Sequence, residues 1–97
     1  MTLDELRTKI DELDGGVLRL LNERARLAME IADIKRANQA SFYVPEREKV
    51  VLDRLRSRNE GPLPDEAVKA IYREVMSSIR ALEKEISVGF LGPRETF

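Results

Sequence analysis

Apolar residues recur along the first third of the chain at alternating steps of three and four: Leu3, Leu6, Ile10, Leu13, Val17, Leu20, Leu27, Ile31 and Ile34. That spacing predicts a buried seam on one face of a helix. One step is doubled. Between Leu20 and Leu27 the pattern asks for another apolar residue, and Arg24 stands there. Thr2 followed by Glu5 fits a capping box that starts the helix. No proline occurs between Thr2 and Ala40, and the only glycines there are Gly15 and Gly16. One continuous helix of about 37 residues is expected, spanning roughly 55 Å. The glycine pair is expected to mark a bend or a point of close packing. So long an apolar stripe can be covered only by other helices.

The segment "NQASFYVP" interrupts the pattern, and Pro45 suits the first turn of a second helix ending near Asn59. Its apolar face comprises Val44, Val51 and Leu55, with Leu52 beside them. "NEGPLPDE" is a turn by composition. A third helix follows from about Pro64 to Ile86, with Val68, Ile71, Val75, Ile79, Leu82 and Ile86 expected to face inward. The fold class is therefore all-α, three helices per chain, one long and two shorter. The end of the chain, "SVGFLGPRETF", differs: Val88 to Leu91 suggests a short strand and "GPRE" the loop after it. Residues 1–86 are expected to form one helical domain, and 87–97 to be the truncated start of another.

Length and composition narrow the function. With 97 residues, a single chain buries little core, which favours an oligomer. Charged residues make up 36%, but 17 basic side chains nearly balance 18 acidic ones, which argues against nucleic acid as a partner. The chain has no cysteine and no histidine. Disulfides, Ser-His and Cys-His nucleophilic machinery and the usual zinc sites are excluded. No apolar run approaches the roughly 20 residues of a membrane span, and "MTLDELRTK" lacks a signal-like apolar region. A cytoplasmic protein without membrane association is expected.

Most charges in such a chain are solvated or join weak pairs along a helix. Arg24 is different because of its place in the seam: an unpaired charge buried there would cost several kcal/mol. Something anionic must meet it, either a carboxylate of the protein or a ligand. Lys35, eleven residues on, returns to within about 20° of the same face and lies roughly 16 Å along the axis. The two side chains can converge on one small anion. Arg7 lies roughly 25 Å from Arg24 and about 100° round the helix, so it cannot reach that place on its own helix. It can reach a symmetry-related one if two long helices pack antiparallel. On the second helix Arg47 shares the Val44/Val51 face and Glu48 lies beside Leu52. On the third, Glu83 follows Ile79 by four and adjoins Leu82. A carboxyl at the edge of an apolar face should have its pKa raised. From these residues alone, Glu48 and Glu83 are either structural partners of Arg24, Lys35 and Arg47 or members of a site.

The stretches "LRTKIDELDGGVLRLLNERARLAMEIADIK", "YVPEREKVVLDRL" and "IYREVMSSIRALE" resemble the all-helical (AroQ-class) chorismate mutases. The resemblance is to the N-terminal domain of bifunctional chorismate mutase–prephenate dehydratases in particular. It runs from Leu3 to about Ile86, and "VGFLGPRETF" looks like the opening strand and loop of the dehydratase domain.

The resemblance implies an intertwined homodimer of three-helix chains with two shared active sites, a fused dehydratase domain in the longer protein, and chorismate as substrate. Arg24 and the partner's Arg7 would bind its two carboxylates. Lys35 and Glu83 would contact the ether oxygen of the breaking C–O bond. Glu48 would hold the ring hydroxyl and Arg47 would line the site with positive charge. Two positions depart from the family pattern: Val44 stands where many relatives carry an acidic residue, and Ile79 where many carry a serine. Both bear on substrate binding. A third, Glu95 in place of a frequent glycine, concerns the dehydratase loop. The implied reaction, chorismate to prephenate, is pericyclic and needs no nucleophile, metal or cofactor, which suits a chain without histidine or cysteine. The competing expectations are an isochorismate-pyruvate lyase-like enzyme on the same scaffold, and a non-catalytic helical dimerisation module whose seam charges pair internally.

Overall fold

The computed structural model describes residues 1–39 and 45–89, with side chains through residue 85. Three helices account for nearly all of them: α1 (Leu3–Ala37), α2 (Pro45–Arg58) and α3 (Asp65–Gly89). No strand occurs among the described residues.

α1 begins as its sequence requires. The Thr2 hydroxyl accepts from the Glu5 N–H at 3.1 Å, and the Thr2 N–H donates to the Glu5 carboxylate at 2.9 Å. Two of the helix's orphan donors are satisfied reciprocally. Asp4 and Glu5 in the first turn, and Lys35 and Arg36 in the last, oppose the ends of the helix dipole. The helix closes with the Asn38 N–H donating to the Ile34 carbonyl at 3.1 Å. α1 passes unbroken through Gly15 and Gly16, and a Cβ at Gly15 would meet no atom within 4 Å. Within one chain the pair marks neither a break nor a close approach.

The α2–α3 turn is organised by Asn59. Its side-chain amide donates to the Leu63 carbonyl and the Asp65 carboxylate, both at 2.8 Å, and its oxygen accepts from the Gly61 N–H at 3.1 Å. Gly61 adopts φ +78°, the left-handed region that glycine enters at least cost. α3 then starts, with the Pro64 carbonyl accepting from Ala67 and Val68.

α3 is the hub against which both α1 and α2 pack. The molecule measures 52 × 36 × 17 Å. The short dimension is under two helix diameters, so few side chains can be enclosed on every side. Ala32, Met76 and Ile79 are the buried apolar residues, and Glu83 is buried with them at 9% exposure.

The structure corrects three expectations. The α1 seam is not buried within the chain: all nine of its apolar residues are exposed, Leu13 at 67%. The inward row expected on α3 is only partly inward. Ile79 is buried, but Ile71 is half exposed, and Met76 takes the core position instead. Val88 and Gly89, expected to open a strand, belong to α3. Extending an existing helix gains a hydrogen bond without a new nucleation cost, which outweighs the local preference of two residues. The remainder of the expected strand and loop, residues 90–97, lies outside the described residues, as does Val44. No helix among the described residues is long and apolar enough to cross a membrane.

Candidate functional site

All three helices line one cavity of about 300 Å³. α1 contributes Arg24, Leu27, Ala28, Ile31 and Lys35. α2 contributes Arg47, Glu48 and Val51, and α3 contributes Met76, Ile79, Arg80 and Glu83. The apolar residues form a platform and the charged groups stand around it. Six of the eight residues singled out from the sequence meet here: Arg24, Lys35, Arg47, Glu48, Ile79 and Glu83. Arg7 does not. It sits in the second turn of α1, exposed, roughly 25 Å along the axis from Arg24.

Helix geometry explains the gathering. Arg24, Ala28, Ile31 and Lys35 follow one another at steps of four, three and four, so one stripe of α1 faces the cavity. Met76, Ile79, Arg80 and Glu83, at positions i, i+3, i+4 and i+7, likewise share one face of α3. Arg47, Glu48 and Val51, at positions i, i+1 and i+4, span one turn of α2.

The charges are not balanced. Four cations face two carboxylates. Glu48 is ion-paired with Arg80, a contact that joins α2 to α3. Among the described residues no carboxylate lies within ion-pair distance of Arg24, Lys35 or Arg47. Arg24 is half-buried, with its guanidinium 6.0 Å from the centre of the Tyr72 ring, at the outer limit of a cation–π contact. Burial pushes the Glu83 carboxyl above its ordinary value, and Glu48 adds to the rise. Lys35, Arg80 and Arg24 draw it the other way without cancelling it. Such a carboxyl keeps its proton to higher pH and can donate a hydrogen bond. Among the described residues no group of three or more acidic, histidine or cysteine side chains is arranged to hold a metal.

Neither carboxylate of the cavity forms an ion pair with the three cations singled out from the sequence. Glu48 is held by Arg80, not by Arg24, Lys35 or Arg47. Arg80, Met76 and Ala28 are the cavity residues that sequence reasoning missed. Arg80 stands three residues before Glu83, a spacing that puts both on one face, but its partner lies 32 positions away on another helix. Met76 was hidden because it falls between the residues of the regular apolar row.

The chain spans about a quarter of the length of the bifunctional relatives it matches, since its alignment covers 27% of each. It is 47% identical, over 99% of its own length, to a "Bifunctional chorismate mutase/prephenate dehydratase" of Neisseria gonorrhoeae. A "Chorismate mutase" of Methanocaldococcus jannaschii is 37% identical over 86% of this chain and 85% of that protein. Among solved structures, the form II chorismate mutase of Thermus thermophilus superposes with a TM-score of 0.83. That match has 34% identity and covers 84% of this chain and 93% of the other. The chorismate mutase of Helicobacter pylori, solved in complex with prephenate, gives a TM-score of 0.79 at 35% identity, covering 86% and 90%. The family described as chorismate mutase type II matches residues 6–84, and this chain belongs to it.

Proposed function

We propose that the chain is an isomerase that rearranges chorismate to prephenate, acting as a homodimer in which each active site draws on both subunits. The observation that carries this reading is the set Arg24, Lys35 and Arg47 around one cavity, none of them ion-paired by a carboxylate among the described residues. Cations held together without their own anions suit a dianionic guest. A solved relative of the same fold holds prephenate, the product of this reaction.

The reaction breaks one C–O bond as it forms one C–C bond. It asks the protein for two things: a dianion held in a compact reactive conformer, and stabilisation of the negative charge that grows on the ether oxygen. Arg24 supplies one bidentate carboxylate clamp, and Arg7 of the partner subunit supplies the other. Arg47 adds positive charge to the lining. Lys35 and the Glu83 carboxyl, which donates while it holds its proton, meet the ether oxygen. Both contacts strengthen as charge develops there, so they raise turnover and not merely affinity. Glu48 accepts from the ring hydroxyl. Ile79 lines the cavity where the family pattern carries a polar group, so each site makes fewer polar contacts to the substrate.

The exposed face of α1 supports the homodimer. Nine large apolar side chains from Leu3 to Ile34 lie on the surface of a molecule only 17 Å thick. A patch of this length calls for a covering surface. Antiparallel pairing of two copies would bury it and carry Arg7 to the neighbouring cavity. The residues from about 87 onward are read as the start of a dehydratase-like domain, a reading supported by an alignment to the bifunctional relative that covers 99% of this chain.

The test is an incubation of the purified chain with chorismate and identification of products. Prephenate is expected. Release of pyruvate with salicylate from isochorismate would replace the mutase reading with the lyase one. Inertness toward both, from an intact dimer, would leave a dimerisation module. A monomer by light scattering would overturn the shared site.

A further inference from the structure

Three ion pairs among the described residues, Arg36–Asp33, Lys49–Asp53 and Lys69–Glu66, span a single turn of one helix. Arg80 and Glu48 are unlike them. They come from α3 and α2, lie 32 residues apart, and both line the cavity. Both of their side chains are enclosed, 34% and 25% exposed, whereas each of the other pairs has a member at least 68% exposed. A one-turn pair on the surface contributes little. A charge-assisted contact in a cavity wall does something else: it selects one rotamer of a side chain that has three rotatable bonds.

We propose that Arg80 is a positioning residue, which tethers the Glu48 carboxylate across the α2–α3 gap and aims it at the hydroxyl of the substrate ring. The inference rests on the mutase reading of the cavity. Arg80 takes Oε2 of Glu48, and the carboxylate has a second oxygen with which to accept from the hydroxyl. The tether settles the orientation before substrate arrives, so binding does not have to pay for ordering that side chain. Arg80 also stands one turn before Glu83 on α3 and acts on it electrostatically. The other charged groups facing Glu83 are Lys35 and Arg24 of α1 and Glu48 of α2.

The ring hydroxyl takes no part in bond making or breaking. Its contact is equally strong in ground and transition states, and loosening it should raise KM and leave kcat nearly unchanged. A residue that only supports the fold would instead lower the active fraction, cutting the apparent kcat at constant KM. Steady-state kinetics of Arg80→Met separates the two. KM for chorismate should rise about tenfold, as for loss of one hydrogen bond to a charged group, with kcat within about threefold of the parent. Combining Arg80→Met with Glu48→Ala should cost no more than Glu48→Ala alone. A chorismate analogue lacking the ring hydroxyl should be turned over equally by the parent and by Arg80→Met. Arg80→Lys, which keeps the charge but loses the planar fork, guards against a Met variant that fails to fold and should give an intermediate KM.

A fall in kcat at constant KM, additive losses in the double variant, or an undiminished penalty with the analogue would each overturn the inference. An Arg80→Met enzyme indistinguishable from the parent would overturn it alone. A parent chain that leaves chorismate untouched would overturn the mutase reading, and this inference with it.

Discussion

The two ends of α1 lead different lives. From Leu3 to Leu20 the helix runs beyond the other helices, with its apolar row exposed. From Arg24 to Lys35 the same stripe faces α2 and α3 and borders a charged cavity. One hydrophobic period serves both stretches. The difference is what lies opposite. Where the chain supplies its own partners, the stripe carries cations that no carboxylate of the described residues neutralises. Where it supplies none, the stripe is wholly apolar apart from flanking charges such as Arg7. The lesson is that the uninterrupted part of the seam is left uncovered by the chain, and the interrupted part borders the charged cavity.

The largest expected effect comes from joining the two regions. Arg7→Ala and Arg24→Ala should each abolish most activity alone. Mixed and refolded together they should regain it, because every mixed dimer holds one site with both arginines intact. A mixture as inactive as its components would break the link between the exposed arm and the cavity. Next comes Lys35→Ala, which should lower kcat on the order of 100-fold, like removal of one oxyanion donor. A loss confined to KM would remove Lys35 from the ether oxygen.

The pH dependence is subtler. Glu83 donates only while protonated, and burial raises its pKa. Activity should therefore decline as pH climbs past the raised value. Glu83→Gln donates an amide N–H at every pH and should flatten that limb. An unchanged pH profile in the variant would place the titrating group elsewhere. The smallest effect belongs to the arm. Gly15 faces open space in mid-helix, so Gly15→Ala should stabilise the protein by about 0.5–1 kcal/mol, read as a higher midpoint of thermal unfolding. A lower midpoint would mean that the partner packs closely at Gly15.

Much of the fold is legible in local pattern. The capping box at Thr2 and Glu5, the proline at the start of α2 and the turn at "NEGPLPDE" delimit helices through interactions a few residues long. Arg24 and Lys35 were legible as cavity residues because a helix converts an eleven-residue spacing into a shared face. The exception at Val88 is equally physical: a residue's own preference yields to the helix already running into it.

What the chain's order of residues determined was therefore periodic: three helices, their faces, and an apolar stripe interrupted by Arg24. What only the tertiary structure decided was pairing across helices. It gave Glu48 to Arg80 and left Arg24, Lys35 and Arg47 to the cavity. It enclosed Met76 and raised the Glu83 carboxyl by burial. Those outcomes depend on how α1 and α2 lie against α3, and residues 32 apart carry no mark of one another until packing brings them together.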